Sequence, residues 1–336
     1  MTTPAITNVS GTITTGQTLT ITGTTMMDED NTNWTAMFRS GTAYGFEGTG
    51  PTLDGWDMGG GNAYDPVYDT AVKLHGSKSL KGHGQGAWSG PAGPASMIYT
   101  TSGQGETGDI WIRFYVRFHL NGGSWPDNYQ KIIDSQGTSS QLYLDLIDVG
   151  ASLSAIFDST GHAFDFPGGG SVVDGKWYCI ELHWKTSAPL TYVCYVDGTL
   201  AYSGTPSGGT LYHILIPMIN YADTTSSFNE DVHMDLLTMS SSRIYPSSIV
   251  EIGNNATYAL ATKVYQAPTT LSNTSILITA DLTGLGAGPY YLWVTNNKQE
   301  RSDPYDLSGG TLGHGSKYIM KPKVNILQQR RKNPKF

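Results

Sequence analysis

A regular alternation of apolar and polar side chains over residues 111–120 is the clearest pattern in this chain. The apolar face carries Ile112, Phe114, Val116, Phe118 and Leu120. The opposite face carries Trp111, Arg113, Tyr115, Arg117 and His119. A repeat of two residues is typical of a β-strand with one side against a core, so this segment predicts a long strand.

Similar alternation recurs between glycine-rich turns over much of the chain. Residues 141–147 and 177–185 each place apolar side chains at every second position. A short turn then leads from the second segment into a strand that ends near Gly198. Because no stretch shows a convincing helical repeat, we predict an antiparallel β-sandwich over residues 36–248.

The two ends of the chain contain shorter alternating segments that resemble each other. Leu19 and Ile21 alternate with threonines between Gly16 and Gly23, and residues 290–295 alternate in the same way. Two strands alone do not make a stable domain. We therefore expect residues 1–35 and 249–308 to form one smaller sandwich, with the 36–248 domain inserted between its halves.

Resemblances to two known families support this domain organisation. The run from Val9 to Gly23, together with segments 272–276 and 291–296, resembles an immunoglobulin-like domain of the IPT/TIG type. Gly175-Lys176-Trp177-Tyr178, followed by residues 192–200, resembles the concanavalin A-like lectin/glucanase superfamily, which includes laminin-G modules and several polysaccharide lyases. The second resemblance implies a two-sheet jelly roll, and implies sugar recognition only as a tendency of that superfamily.

Composition and charge narrow the function classes. Charged residues make up 14% of the 336 residues, and the formal net charge is −8. A cluster of basic residues without any acid ends the chain: Lys317, Lys321, Lys323, Arg330, Arg331, Lys332 and Lys335. Because the rest of the chain is acidic, we expect no direct nucleic-acid binding, and we interpret residues 309–336 as a tail that docks on an acidic partner or is simply solvated.

Three features bear on the cellular compartment that we expect: membrane spans, a secretory signal and disulfide bonds. The sequence contains no apolar run of membrane-spanning length. Its first residues have neither a basic nor an apolar region, so we expect no secretory signal. Cys179 and Cys194 fall on opposite faces of neighbouring predicted strands, so we expect free thiols rather than a disulfide.

The polar face of the 111–120 strand is the candidate binding surface. If the neighbouring strands share its sheet, the same face collects the residues Trp111, Arg113, Tyr115, Arg117, His119, Asp145, Glu181 and His183. Planar hydrogen-bonding groups beside aromatic rings suit a saccharide. The alternatives are an ordinary solvent-facing sheet with cross-strand ion pairs, and a protein interface.

The sequence supports catalysis less well than it supports ligand binding. A glycosidase needs two carboxylates at a set separation, and no strand supplies a convincing pair. A lyase needs a base beside a group that neutralises a uronate carboxylate, for which Tyr115, His119, Arg113 and Arg117 are the candidates, although the alginate-lyase motifs are absent. Asp28, Asp30 and Thr32 begin like a Ca²⁺ loop but lack its glycine and its final glutamate, so irregular Ca²⁺ binding is left as an alternative. No zinc-site spacing occurs, and we otherwise expect no metal and no cofactor.

The main functional hypothesis is a non-enzymatic structural protein of a bacteriophage particle, either a capsid decoration or a tail appendage. It would be made in the host cytoplasm, bind other virion proteins through its basic tail, form a homo-oligomer and display a lectin-like domain to host-surface glycans. The alternatives are a polysaccharide lyase acting on an acidic glycan, and an extracellular adhesin of a bacterial surface.

Overall fold

A computed structural model describes most of the segments in which apolar and polar side chains alternate. It covers residues 3–27, 46, 50, 57–58, 66–85, 96–99, 109–122, 130–137, 141–147, 152–157, 160–164, 172–185, 189, 191–205, 211–220, 229–240 and 242–307. In β3, β6, β10, β11 and β15, defined below, the description is of the backbone.

The described chain consists almost entirely of β-strands. In chain order they are β1 (Ala5–Ser10), β2 (Thr18–Thr24), β3 (Asp57–Met58), β4 (Val67–Asp69), β5 (Ser79–Gln85), β6 (Ser96–Tyr99), β7 (Asp109–Leu120), β8 (Gln130–Gly137), β9 (Gln141–Ile147), β10 (Ser152–Phe157), β11 (Thr160–Phe164), β12 (Trp177–Lys185), β13 (Thr191–Val196), β14 (Thr199–Gly204), β15 (Leu211–Asn220), β16 (Asn229–Ser240), β17 (Ser248–Gly253), β18 (Lys263–Gln266), β19 (Pro268–Leu271), β20 (Ser275–Thr279), β21 (Tyr291–Asn296) and β22 (Tyr305–Asp306). The described residues contain one short 3-10 helix, Tyr258–Leu260, and no helix long and apolar enough to cross a membrane.

Two seven-stranded sheets form a large sandwich. Sheet I has the order β14-β13-β12-β7-β16-β5-β4, and sheet II has the order β11-β10-β9-β8-β15-β6-β3. The pairings within both sheets are antiparallel. The predicted all-β, antiparallel sandwich fold is confirmed.

The core of the large sandwich lies on the apolar face of β7. Phe114 pairs in register with Ile180 of β12, and both side chains are fully buried. Sheet II contributes Ile133 and Leu144 to the same cluster. The alternation in residues 111–120 therefore separates a core face from an outer face as predicted.

A small sandwich is built from both ends of the described chain. Its sheets have the orders β1-β2-β20-β19 and β18-β17-β21-β22. Strand β2 pairs with β20, which sets Leu19 against Ile278, and these fully buried residues pack with Val250 and Leu292 of the other sheet. The residues that close this core are thus separated by most of the chain length.

The small sandwich packs against the outer face of sheet I. Tyr115, Trp177, Cys179 and Leu236, all from sheet I, are buried in the same cluster as the core of the small sandwich. The Tyr115 hydroxyl also accepts a hydrogen bond from the backbone N–H of Ser247, at 3.0 Å. The middle of this outer face is therefore an internal interface.

Both cysteines are free and buried, in agreement with the sequence. Cys194 belongs to the core between sheets I and II, whereas Cys179 belongs to the cluster that joins sheet I to the small sandwich. Their placement on opposite faces of sheet I prevents a disulfide, and burial raises the pKa of both thiols.

Candidate functional site

The predicted binding face divides into three parts in the structure, and the first is buried. The Arg113 guanidinium is fully buried and donates to the backbone oxygen of Tyr245 at 3.1 Å and to the Thr238 hydroxyl at 2.8 Å. Tyr115 is also buried, beneath Ser247. The prediction of an open ligand face is wrong for these residues because the segment leading into the small sandwich covers them.

Glu181 is the third predicted residue that is removed from solvent. Its fully buried carboxylate receives two hydrogen bonds from Arg243, from Nε at 2.8 Å and from Nη2 at 3.1 Å. Burial raises the pKa of Glu181, and the charge of Arg243 opposes that rise. The Arg243 guanidinium lies 3.6 Å from the ring centroid of Tyr195, so the pair is held by an aromatic face as well.

Trp111 and His183 form the second part, at one end of the outer face. Their rings stack with centroids 4.1 Å apart and an interplanar angle of 7°. His183 Nε2 lies 2.9 Å from a carboxylate oxygen of Asp109. One face of the Trp111 ring is thus occupied by a neighbouring side chain of the protein itself.

Asp145 lies in the other sheet. It belongs to β9 of sheet II, where it pairs in register with Lys131 of β8 and Ser154 of β10. Asp145 could join the candidate face only if residues 141–147 shared a sheet with residues 111–120, and they do not. Alternation assigns parity within a strand and carries no information about which sheet the strand joins.

The third part of the face is polar and lies at the opposite end of sheet I. We call it the polar end, and it consists of Asp69, Lys81, His83, Arg117, His119, Asp174, Asp231 and His233. Arg117 donates from Nε to the backbone oxygen of Gly175, at 3.0 Å. His119 Nδ1 lies 3.2 Å from a carboxylate oxygen of Asp174, whose other contact is the backbone N–H of Leu120.

Asp231 stands at the centre of the polar end. Its carboxylate accepts from Lys81 at 2.8 Å and from His83 at 2.7 Å. In the strand register it lies between His83 of β5 and His119 of β7. Burial raises the pKa of Asp231. Hydrogen bonds from Lys81, His83 and Asn121 have a larger, opposite effect, so the pKa lies below its ordinary value.

His233 and Asp69 complete the cluster. The His233 side chain is only 2% exposed, and its Nε2 lies 2.9 Å from Asp69 Oδ2. Burial lowers the pKa of His233, and the Asp69 carboxylate opposes this shift. Burial also raises the pKa of Asp69, but hydrogen bonds from the Ala71 N–H and His233 lower it overall.

Sequence reasoning missed most of the polar end. It found Arg117 and His119, but it did not connect them with Asp69, Lys81 or His83. The available signal was the alternation of Lys81 and His83 in β5. The sequence contains no information on the pairing of β5 with β16, which brings these residues together.

The predicted catalytic combination is not assembled. Of the four lyase candidates, Arg113 and Tyr115 are buried in the interface, while Arg117 and His119 lie at the polar end. Within the described ranges, no group of three or more His, Cys, Asp or Glu side chains is arranged to hold a metal ion. Asp28, Asp30, Thr32 and the seven basic residues of the tail lie outside the described residues.

No family model matches this sequence, and no curated protein matches it. Among solved structures, the chain is similar to the cellulose-induced protein Cip1, with a TM-score of 0.44 and 18% identity over 56% of this chain and 93% of the other. It is also similar to the alginate lyase Aly36B, with a TM-score of 0.43 and 12% identity over 55% and 86% of the two chains. An endo-β-1,4-glucuronan lyase from the fungus Trichoderma reesei gives 0.41 and 11% over 56% and 92%.

Proposed function

We propose that this protein acts on an acidic polysaccharide that lies across the outer face of sheet II. The observation that supports this proposal is the burial of the middle of sheet I's outer face beneath the small sandwich. A two-layer sandwich has two outer faces, and an extended polymer needs an uninterrupted one. Sheet II is then the face that accommodates the ligand.

The register of sheet II brings suitable residue types to adjacent positions. Lys131 pairs with Asp145, and Gln136 pairs with both Gln141 and His213. These pairs come from β8, β9 and β15, which are neighbours in the sheet. Acidic sugar recognition needs a cation for the carboxylate and amides for the hydroxyls, and this set of residue types provides both.

The reaction that we propose for this face is β-elimination. In a lyase, a base removes the proton beside the uronate carboxylate while a cationic or amide side chain neutralises that carboxylate. The electrons of the broken C–H bond form a carbon–carbon double bond, and the C–O bond to the next sugar breaks. The oxygen of the departing sugar keeps that bond's electron pair and takes up a proton. His213 is the candidate for the base, and Gln136, which pairs with it in register, is the candidate for neutralising the carboxylate by hydrogen bonding. Lys131 lies five positions from Gln136 along β8 and is the candidate for binding the carboxylate of a neighbouring sugar.

The experiment measures binding and cleavage of polyuronates by the purified protein. We expect an increase in ultraviolet absorbance as unsaturated ends form. We expect His213→Ala to abolish this increase, and Lys131→Ala to weaken binding of the polyuronate and so slow the cleavage. Lys298→Ala removes the same charge as Lys131→Ala from an exposed site on the small sandwich and is the matched control. Cleavage that is unchanged by both substitutions on sheet II would overturn the assignment of the site.

A non-catalytic role on a bacteriophage particle is the second candidate, as a capsid decoration or tail appendage. The supporting observation is that Arg113, Tyr115 and Glu181 serve packing between the two sandwiches rather than a ligand. In this role the protein binds other virion proteins through the basic tail and forms a homo-oligomer. Solution mass, compared between the full chain and a variant ending at Gly315, tests it: a closed oligomer that becomes monomeric without the tail supports assembly, and a monomer in both cases contradicts it.

A further inference from the structure

The small sandwich carries an exposed leucine in the loop between β17 and β18. Leu260 is 72% exposed, more than any other large apolar side chain in the described ranges. It ends the 3-10 helix Tyr258–Leu260, in which Ala259 is exposed as well. Residues 254–262 contain no charged side chain. An isolated exposed leucine is common on protein surfaces, so its neighbours decide whether it is part of a site.

A second uncharged loop meets the first at the same end of the small sandwich. Residues 282–290 precede β21, and their exposed members include Ala287 and Pro289. The Asn254 side chain reaches from one loop to the other, donating from Nδ2 to the backbone oxygen of Leu285 at 3.5 Å. We call this end of the small sandwich, formed by residues 254–262 and 282–290, the apolar tip.

Two cations flank the tyrosine that shares the short helix with Leu260. Arg301 Cζ lies 3.3 Å and Lys263 Nζ lies 4.1 Å from the ring centroid of Tyr258. The Tyr258 hydroxyl donates to Glu251 at 2.6 Å, so two cations and one carboxylate leave this group with a net positive charge. An aromatic ring and cations beside an apolar residue are typical of proteins that contact the surface of a bilayer.

The basic tail leaves the described part of the chain at the apolar tip. Leu307, the last described residue, donates its backbone N–H to the oxygen of Tyr290 at 2.8 Å. Lys317 follows ten positions later, so even a fully extended chain keeps it within about 35 Å of Leu307. The basic residues of the tail can therefore reach a surface that the apolar tip touches.

The tail combines its seven basic residues with apolar ones. Residues 318–320 are Tyr-Ile-Met, and residues 324–327 are Val-Asn-Ile-Leu. An anionic bilayer attracts such a segment by its charge and accepts apolar side chains at the boundary between headgroups and acyl chains. A nucleic acid or an acidic polysaccharide would neutralise the charge but has no apolar layer for Leu260 to enter. A membrane surface is the partner that fits both the tip and the tail.

We propose that the apolar tip and the basic tail together bind the surface of an anionic lipid bilayer. Leu260 enters the boundary between headgroups and acyl chains, and the tail provides the electrostatic attraction. Seven of the 20 basic residues and none of the 28 acidic ones lie in the tail, so the rest of the protein is repelled by an anionic surface and the tail is required. This site does not depend on the proposed function, which concerns sheet II of the large sandwich.

The test measures sedimentation of the full-length protein with two kinds of vesicle. One consists of phosphatidylcholine alone, and the other is an equimolar mixture of phosphatidylcholine and phosphatidylserine. We expect binding to the mixed vesicles only, and we expect it to weaken as the salt concentration rises. Equal binding to both compositions, or binding to neither, would overturn the proposal.

Variants separate the contributions of the tail and the tip. A chain ending at Gly315 lacks the seven basic residues and should lose at least about a hundredfold in affinity for the mixed vesicles. Leu260→Ser should lose about tenfold, because serine gains little from entering the apolar layer. Leu200→Ser removes a leucine that is 55% exposed on β14 of the large sandwich, and this matched control should bind like the unmodified protein. Unchanged affinity in Leu260→Ser would show that the tip does not touch the bilayer.

Dextran sulfate in place of vesicles distinguishes a lipid surface from a soluble polyanion. The tail should bind this probe through its charge alone, so we expect equal affinity in the unmodified protein and in Leu260→Ser. A loss in Leu260→Ser that is as large with dextran sulfate as with the mixed vesicles would show that Leu260 does not act by entering a bilayer, and the proposal would be wrong.

Discussion

At the scale of single residues, the Glu181–Arg243 pair shows how a charge is accommodated inside this protein. Burying a carboxylate is unfavourable, and the attraction of a partner compensates only when the geometry is good. Here the guanidinium donates two hydrogen bonds to a fully buried carboxylate and stacks on Tyr195. The pair lies where the chain leaves β16 for the small sandwich, so it also fixes the path of the connecting segment.

Arg243→Met should destabilise the protein by about 3–5 kcal/mol, because it leaves the Glu181 carboxylate buried without its cation. Urea denaturation measures the change in the free energy of unfolding. The double variant Arg243→Met/Glu181→Gln should recover part of the loss, since it removes the stranded charge. A double variant less stable than the single one would show that Glu181 does not depend on Arg243.

His233 makes stability depend on pH in a defined direction. Its pKa in the folded protein lies below the unfolded value of about 6.5, because burial disfavours its charged form. As the pH falls below that value, the unfolded chain takes up a proton before the folded chain does, so this residue makes the protein less stable. Stability is retained above about pH 6.5 and is lost as the pH falls through the folded pKa.

His233→Gln tests this sign. The variant should show a smaller loss of stability than the unmodified protein between about pH 6.5 and pH 5, measured as the melting temperature at each pH. All other titratable groups are the same in the two proteins, so the comparison isolates the effect of His233. A variant that loses stability more steeply than the unmodified protein would contradict the assignment of His233 as the buried neutral histidine.

At the scale of secondary-structure elements, β7 has both faces buried for different reasons. Phe114 belongs to the core between sheets I and II, while Tyr115 belongs to the cluster shared with the small sandwich. The alternation within residues 111–120 was sufficient to predict which side chains share a face. It could not predict that the polar face is covered, because Arg113 and Tyr115 obtain their partners from residues more than one hundred positions away.

An irregularity in β16 is a second feature that the sequence pattern could not predict. The register between β16 and β7 shifts between Asp235 and Thr238, and Leu236 has a φ of 50°, in the left-handed region. The bulge sends Leu236 to the outer face and Leu237 to the inner core. Two consecutive leucines in a strand give no sign of such a bulge, so the position of Leu236 was not predictable.

Phe114→Ala should cost about 3–5 kcal/mol of stability, because it leaves a cavity in the middle of the large core. Val193→Ala, at a half-buried position on β13 of the same sheet, is the control and should cost much less. Denaturant titration of both variants gives the comparison. Similar losses of stability in the two variants would show that Phe114 contributes no more to the core than Val193 does.

At the scale of the whole molecule, the two sandwiches share one hydrophobic cluster. Leu236 and Trp177 of the large sandwich are buried together with Val250 and Ile276 of the small one. Hydrogen bonds cross the same boundary, including one from the Leu271 N–H to the backbone oxygen of Leu74 at 2.8 Å. An interface this apolar resembles a core rather than a transient contact between domains.

The shared cluster leads to the prediction that both sandwiches unfold in one cooperative transition. Leu236→Asp should separate this transition into two, because it places a carboxylate in the centre of the shared cluster. Aspartate tolerates the left-handed backbone at this position, so the effect reports burial rather than strain. Calorimetry measures the number of transitions, and Leu200→Asp, at a position that is 55% exposed, provides the control. A single transition in the Leu236→Asp variant would show that the two sandwiches are coupled by contacts outside this cluster.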